Sequence, residues 1–223
     1  ERIEGAGLKR TSLPIYGYVN AIKEIAGALY VCGSGGQVYR RGDDGWRHIA
    51  ESLKTPAAPP QPGDSAALKD FGARDFADID GYSDADLYVV GGSGEIYHFD
   101  GAAWVRCQTA SNEILNALCC AESNEVWACG FNGTLLRGNA IDGFKEMSSY
   151  DDNQIFSGIA ILKGVVYLAS NEGLFYFDAK SGKIEAVETL LEQDADDPNM
   201  LSAADGVLLS IGFKTIAFFD GNI

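Results

Sequence analysis

The side chains that could carry acid–base chemistry are few and scattered. The chain holds only two histidines, His48 and His98, in dissimilar sequence contexts. A general acid or base needs a positioned partner and a substrate-facing site, which isolated histidines do not supply. Glycoside hydrolysis would instead need two carboxyl groups facing each other ~5–10 Å apart. The sequence therefore predicts no catalytic residue.

The five cysteines are an odd set at irregular spacing: Cys32, Cys107, Cys119, Cys120 and Cys129. A secreted disulfide framework usually has an even number, so we expect reduced thiols and a cytoplasmic location. Cys32 and Cys129 lie in apolar runs and are expected to be buried. The others lack the paired-cysteine or histidine spacing of a zinc site. We predict no metal and no cofactor.

Two further patterns resemble ligand sites but have simpler interpretations. Asp78 and Asp80, like the acidic group at 194–197, could collect oxygen ligands, but the glycine-centred calcium loop is missing. Solvated acidic loops are the favoured interpretation. Gly33–Gly36 and Gly91–Gly94 resemble phosphate-cradling loops. They precede strands rather than a helix, so hairpin turns are the favoured interpretation.

An internal repeat organises the chain and positions these residues. Five segments align without gaps through their centres, each with an apolar run, a turn and a second β-rich run. The aligned column holds Gly33, Gly91, Gly130, Ser170 and Gly212, at intervals of 58, 39, 40 and 42 residues. A period of roughly 40 residues in β-rich sequence is typical of propeller blades.

Each repeat predicts a sheet of consecutive strands. An inner strand precedes each hairpin, and a fourth strand follows a polar turn. The predicted inner strands are Val19–Ile22, Phe76–Ile79, Leu115–Leu118, Phe156–Ile159 and Leu201–Ala204. The predicted fourth strands are Gly45–Ile49, Trp104–Cys107, Phe144–Met147 and Ile184–Val187. Ala186–Gln193 is the one segment that favours a short helix.

The predicted fold class is all-β, a β-propeller of five four-stranded blades that forms a single domain over residues 1–223. The longest interval between repeats contains a proline-rich surface insertion at about 53–69. The fifth repeat stops before a fourth strand, so we expect a strand within residues 3–13 to complete the last blade. Small inner-strand residues favour a narrow ring: Ala21, Asp78, Ala117, Gly158 and Ala203. A fragment of a six- or seven-bladed propeller is the alternative.

The stretch from Asp86 to Trp104 resembles the repeats of bacterial BNR/Asp-box, YVTN and WD40-like β-propellers. Asp100-Gly101 followed by Trp104, like Asp43-Asp44-Gly45-Trp46, resembles a shortened Asp-box that lacks the usual preceding serine. We expect these residues to be structural, with the carboxylate capping turn amides and the indole packing between blades. Propellers of this kind include lectins, glycosidases, assembly factors and immunity proteins against toxins. The resemblance implies the fold, and function must come from the site.

The net charge limits the class of partner. The chain has 17 Lys and Arg against 32 Asp and Glu, a formal charge of −15. Nucleic-acid binders need a basic surface, and no apolar run has the ~20 residues of a membrane span. We therefore expect a basic protein partner, with a toxin domain as one candidate, and no nucleic-acid or membrane partner.

The loops suggest where that partner binds. Turns between the two middle strands differ from repeat to repeat, which suits recognition of one protein surface better than a repeated sugar site. They share a face with the acidic segments between blades, where phenylalanines could act as anchors inside a charged rim. The predicted partner-binding residues are Asp151, Asp152, Glu192, Asp194, Asp196, Asp197, Phe131, Asn132 and Phe213.

We predict a non-enzymatic protein-binding propeller, and the family resemblance adds a bacterial immunity protein that neutralises a toxin as its specific form. A carbohydrate-binding, lectin-like propeller is the alternative, and a propeller glycosidase is less favoured.

Overall fold

The structure is a computed structural model that describes residues 18–54, 74–122, 124–147, 153–189 and 198–220. The described residues of Glu1–Gly92 and Tyr97–Arg106 form one compact unit. Those of Ser93–Ile96 and Cys107–Ile223 form a second. In both units the regular elements of the described residues are antiparallel strands, joined by turns that include single 3₁₀ turns.

The first unit contains two four-stranded sheets, except for Ile96, and each has its strands in sequence order. The first sheet consists of β1 (Val19–Ile25), β2 (Ala28–Gly33), β3 (Gln37–Gly42) and β4 (Gly45–His48). The second consists of β5 (Phe76–Ser83), β6 (Asp86–Gly91), β7 (Ile96–Phe99) and β8 (Trp104–Arg106). A shared apolar core joins the two sheets, with Cys32 and Tyr30 from the first packed with Phe76 and Leu87 from the second.

The second unit contains three sheets. The third sheet consists of β9 (Leu115–Ala121), β10 (Glu125–Gly130), β11 (Leu135–Asn139) and β12 (Gly143–Glu146). The fourth consists of β13 (Phe156–Leu162), β14 (Val165–Ser170), β15 (Gly173–Asp178) and β16 (Lys183–Ala186). The fifth has three strands among the described residues, β17 (Pro198–Ala204), β18 (Val207–Gly212) and β19 (Ile216–Phe219).

Tight hairpins join the first two strands of each sheet, and backbone conformation explains their residues. In the β13–β14 turn, Lys163 and Gly164 both have positive φ, at 50° and 79°. Asp205 and Gly206 repeat this pair in the β17–β18 turn. Two consecutive positive φ angles define the turn whose twist matches that of the flanking strands, and glycine reaches this conformation without steric cost.

Every inner strand carries a register shift near its start, where a residue is skipped in the pairing with the second strand. In β1 and β9 the skipped residue is an asparagine that reaches the next inner strand. Asn20 Nδ2 donates to the Phe76 carbonyl at 2.8 Å, and Asn116 Nδ2 donates to the Phe156 carbonyl at 2.9 Å. A bulge can re-aim a side chain in this way, and here it links consecutive sheets.

The prediction of an all-β, five-bladed β-propeller is confirmed. The inner strands begin where the repeat placed them, except that β17 begins earlier, at Pro198. Crowding of inner strands is evident at Gly158, where a Cβ atom would lie 3.1 Å from the Asn199 carbonyl oxygen of β17. The predicted completing strand at residues 3–13 lies outside the described residues.

The helix predicted over Ala186–Gln193 is wrong at its start. Lys183–Ala186 is strand β16, and no helix follows over residues 187–189. Pairing with β15, in which Ala186 lies opposite Phe175, overrides the helix propensity of this short segment. Residues 190–193 lie outside the described part of the chain. At the insertion predicted for residues 53–69, Leu53 is buried in the core of the first unit.

Candidate partner-binding face

The turns between second and third strands meet the segments that lead into inner strands. In the third sheet, the Phe131 N–H donates to the Ile114 carbonyl at 2.9 Å, just before β9. The Gly133 N–H of the same turn donates to the Gln154 carbonyl at 2.8 Å, just before β13 of the next sheet. These turns and inter-sheet segments therefore lie at the same end of the unit, which we call the loop face.

The first sheet repeats this arrangement within its own unit. The Ser34 N–H donates to the Tyr18 carbonyl at 2.9 Å, and the Gly36 N–H donates to the Arg74 carbonyl at 2.7 Å. The turn of the first sheet is thus bonded to the segments that lead into β1 and β5.

Close backbone approach explains the glycine at the aligned column. A Cβ atom at Gly130 would lie only 1.9 Å from the Ile114 carbonyl oxygen. The fourth sheet has Ser170 at this position, and there the neighbouring Asn171 holds the turn through two hydrogen bonds. The Ile155 N–H donates to Asn171 Oδ1 at 2.9 Å, and the Asn171 N–H donates back to the Ile155 carbonyl at 3.3 Å.

Three of the predicted binding residues lie in the described part of the loop face. Phe213 is 83% exposed in the β18–β19 turn, whereas Phe131 is half-buried. Asn132 has a φ of 54° and donates from Nδ2 to the Glu113 carboxylate at 2.9 Å. Phe213 is therefore the more exposed of the two phenylalanines, and the Asn132 side chain links its turn to the segment that precedes β9.

The acidic part of the predicted site lies outside the described residues: Asp151, Asp152, Glu192, Asp194, Asp196 and Asp197. Among the described acidic residues near these turns, Glu172 is exposed. Glu51 accepts a hydrogen bond from Lys54 Nζ at 2.7 Å, and this bond lowers the pKa of the Glu51 carboxyl group. Glu51 is exposed but paired with Lys54, Glu113 is half-buried and accepts from Asn132, and Glu172 presents its charge to solvent.

Asp100 and Trp104 have the structural roles expected of them. Asp100 Oδ1 accepts the N–H groups of Ala102 and Ala103 at 2.9 and 2.8 Å, which lowers the pKa of the carboxyl group. Trp104 is buried, and its indole N–H donates to the Ile49 carbonyl of the preceding sheet at 2.9 Å. Asn139 and Asp178 cap the equivalent turns of the third and fourth sheets, which the sequence analysis did not identify.

The cysteines are all free, and Cys32, Cys107 and Cys129 are buried. Burial raises the pKa of Cys32, and raises that of Cys107 to about 11, so neither is a thiolate at neutral pH. The predicted burial of Cys32 and Cys129 is confirmed. Among the residues that the structure describes, no group of three or more His, Cys, Asp or Glu side chains could hold a metal ion.

The two histidines differ in their surroundings. The His48 side chain is 8% exposed and packs edge-on against Tyr39, with ring centroids 4.7 Å apart. Its Nδ1 accepts a hydrogen bond from the Ala50 N–H. Burial is the main cause that lowers the pKa of His48 to about 4. His98 lies against Tyr88 and pairs through Nε2 with Asp86 at 2.8 Å. Both belong to the packing of the first unit.

Across the described ranges, no helix has the length and apolar character needed to cross a membrane.

Comparison with known proteins finds likeness in both sequence and fold. No protein-family model matches the chain. The chain is 36% identical over 206 residues to the Immune protein Tsi7 of Pseudomonas aeruginosa, covering 92% of this chain. It spans 62% of the length of that relative.

Three solved structures illustrate the likeness in fold. The extracellular domain of the two-component system BT4673 from B. thetaiotaomicron matches 94% of this chain and 28% of its own, with 12% identity and a TM-score of 0.65. The WD40 propeller domain of Doa1 matches 92% of this chain and 64% of its own, with 11% identity and a TM-score of 0.65. YCF48 bound to a D1 peptide matches 94% of this chain and 65% of its own, with 12% identity and a TM-score of 0.61. Identities this low establish the fold alone, and that fold is the β-propeller.

Proposed function

We propose that this chain is a non-enzymatic immunity protein that neutralises a toxin by binding it. The observation that carries the proposal is the 36% identity to the Immune protein Tsi7, which extends over 92% of this chain. The similarity extends over 206 residues rather than one short shared motif. This chain spans 62% of the length of that relative, and we propose that this part is sufficient to bind the toxin.

We assign the toxin contact to the loop face. Its turns differ from sheet to sheet, while the hydrogen bonds of Phe131, Gly133 and Asn171 fix their conformations. Loops held in place before binding lose less conformational freedom in the complex, which favours affinity. Phe213, with 83% of its surface exposed, is the residue best placed to insert into a pocket of the partner.

The charge of the chain supports a basic partner. A net charge of −15 attracts a cationic protein, and the acidic residues predicted at 151–152 and 192–197 would concentrate that attraction at the loop face. Such charges act mainly on the rate of encounter, while an anchored aromatic ring acts on the lifetime of the complex. We also propose a cytoplasmic location, because the cysteines are odd in number and free.

The test begins with affinity purification of the tagged protein from its native host, followed by mass spectrometry. The expected result is one stoichiometric partner that is toxic when expressed alone and harmless when this chain is co-expressed. A glycan array run with the same protein tests the carbohydrate-binding alternative. Specific glycan binding together with no protection against a toxic partner would overturn the proposal.

A matched pair of variants tests the assignment of the face. Phe213→Ala should raise the dissociation rate of the purified complex by about tenfold or more, because hot-spot aromatics often contribute ~2 kcal/mol or more. Ile141→Ala is the control, since Ile141 is 87% exposed in the turn between β11 and β12, at the other end of its sheet. Equal effects of the two variants would contradict the assignment.

A further inference from the structure

The turn between the second and third strands presents different side chains in different sheets. In the first two sheets it consists of serine and glycine, at residues 34–36 and 92–94. In the third sheet it carries Phe131 and Asn132. Asn132 has a left-handed φ of 54°, which glycine adopts with less strain. The third sheet therefore keeps an amide side chain at a position where glycine would fit more easily.

The Asn132 side chain helps to fix the carboxylate of Glu113, on the segment that leads into β9. Asn132 Nδ2 donates to Glu113 Oε2 at 2.9 Å. The main chain of Glu113 is held as well, since its N–H donates to Ser111 Oγ at 3.1 Å. Its carbonyl accepts the Gly94 N–H at 2.7 Å. All four residues belong to the second unit, and they position the carboxylate before any ligand binds.

This carboxylate is half-buried without a compensating cation in the described part of the chain. Among the described residues, the Asn132 amide is the only side chain that bonds to it, and no Lys, Arg or His pairs with it. Glu51 and Glu125, by contrast, pair with Lys54 and Arg137. A carboxylate has about four acceptor positions, and partial burial of an unpaired charge is costly. Glu113 is therefore prepared to accept a cationic donor from outside.

Apolar side chains lie beside this carboxylate. Ile114 follows Glu113 in sequence and is 46% exposed. Phe131 is half-buried, and its N–H donates to the Ile114 carbonyl at 2.9 Å, so these two residues are neighbours. A matching cation needs apolar surface of its own. The guanidinium of arginine is weakly hydrated, stacks on aromatic rings and bonds a carboxylate with two N–H groups, whereas the lysine ammonium is compact and strongly hydrated.

We propose that Glu113, Ile114 and Phe131 form a binding site for an arginine side chain of the toxin, an inference that rests on the proposed function. The Glu113 carboxylate accepts N–H groups of the guanidinium, while Ile114 and Phe131 contact its plane and its methylene stem. The net charge of −15 attracts a basic partner from a distance, and this site selects one side chain of that partner at close range.

The site can be tested without the toxin, by NMR titration of the isotope-labelled full chain with N-acetyl-arginine methylamide and with the lysine equivalent. We expect saturable shifts of the Ile114 and Phe131 amide signals with arginine. The dissociation constant for lysine should be roughly threefold higher or more, because its ammonium stacks poorly on a ring. Glu113→Gln should abolish the shifts and leave the other signals unchanged, since glutamine keeps an oxygen that accepts from Asn132 Nδ2.

Glu122→Gln is the matched control, because it removes the same charge from an exposed residue at the other end of the third sheet, in the β9–β10 turn. This variant should bind the arginine probe like the parent. The proposal is overturned if the Ile114 and Phe131 signals do not shift, if lysine binds as tightly as arginine, or if Glu113→Gln still binds arginine.

A second measurement uses the toxin complex purified from the native host. Glu113→Gln should raise its dissociation rate about tenfold or more, whereas Glu122→Gln should leave it unchanged. A chain that binds the arginine probe but has no toxin partner would refute the proposed function, and with it the toxin as the source of the arginine. A complex that dissociates equally fast with the parent and with Glu113→Gln would leave the proposed function intact and overturn this site as a toxin contact.

Discussion

At the scale of single residues, His48 gives the clearest pH dependence. Its pKa is lowered to about 4 in the folded protein, against 6.5 for the free side chain, so the unfolded chain binds the proton more readily. Stability from this group is therefore complete above pH 6.5 and is lost as the pH falls from 6.5 towards 4. We expect a loss of about 1–3 kcal/mol, because each unit of pKa difference between the folded and unfolded states is worth ~1.4 kcal/mol.

Urea unfolding at a series of pH values measures this effect. His48→Gln removes the titrating group, so its stability should fall less than that of the parent between pH 6.5 and 4. The Ala50 N–H loses an acceptor in this variant, which lowers stability by a similar amount at all pH values. Identical pH profiles for parent and variant would show that other groups dominate the acid sensitivity.

Single residues also mark the limits of what the sequence could predict. Burial of Cys32 and Cys129 follows from their apolar neighbours, and the capping role of Asp100 follows from its turn. The hydrogen bond from Asn116 to the Phe156 carbonyl could not be predicted. It depends on a bulge in the pairing of β9 with β10, at which Asn116 is skipped. The only hint is an asparagine between two apolar residues at the start of β1 and β9.

At the scale of elements, two turn glycines are required for different reasons, one by the space around it and the other only by its backbone conformation. Gly94 has a φ of 65°, and an added Cβ atom would lie 2.0 Å from the Ser111 carbonyl oxygen. Gly164 has a φ of 79° with nothing within 4 Å of the same position. Gly164→Ala should therefore cost only the conformational penalty of about 1–2 kcal/mol. Gly94→Ala must also displace backbone, and should cost several times more.

Chemical denaturation of the two variants in parallel checks this difference. The unfolding midpoint should fall slightly for Gly164→Ala and severely for Gly94→Ala. Comparable losses would mean that the segment around Ser111 moves easily, and that the loop face is less rigid than its hydrogen bonds suggest.

The elements themselves were predictable because their signals are local. Alternation of apolar residues and glycine-containing turns placed the hairpins, and the β-strands of all five sheets follow that pattern. Ala186 shows the opposite case, because its pairing with Phe175 in the neighbouring strand decides its conformation. Partial burial of Phe131 is likewise set by contacts that its own segment does not encode.

At the scale of the whole molecule, the fifth sheet carries the prediction about residues 3–13. Four sheets have four strands, and the fifth has three among the described residues. If the N-terminal segment supplies the fourth strand, deletion of residues 1–12 exposes the edge of β19. The loss should be several kcal/mol of a total of ~5–15, which differential scanning calorimetry would detect as a large fall in melting temperature. A truncated protein that melts within a few degrees of the parent would refute this closure.

The charge of the whole molecule leads to a kinetic prediction for the proposed toxin complex. Replacing Asp151, Asp152, Asp194, Asp196 and Asp197 with Asn or Ser removes five negative charges from the predicted loop face. The association rate should fall about tenfold or more at low salt, with a weaker salt dependence, as measured by surface plasmon resonance.

Asp84→Asn is the control for that variant, because the Asp84 side chain is 67% exposed in the β5–β6 turn. Asp80 is unsuitable, since it is nearly buried and pairs with Lys23 Nζ at 3.0 Å. An association rate that falls by the same amount per charge removed in both variants would mean that only the total charge matters.

The packing of Phe219 on Tyr167 has a consequence for biosynthesis. The described strands of each sheet come from one continuous stretch of chain, so they can pair as soon as they leave the ribosome. The fourth sheet, however, takes part of its apolar cover from Leu201, Leu208 and Phe219. Translation must therefore reach Phe219 before Tyr167 is shielded, and a ribosome that stalls earlier releases a nascent chain with an open, aggregation-prone surface.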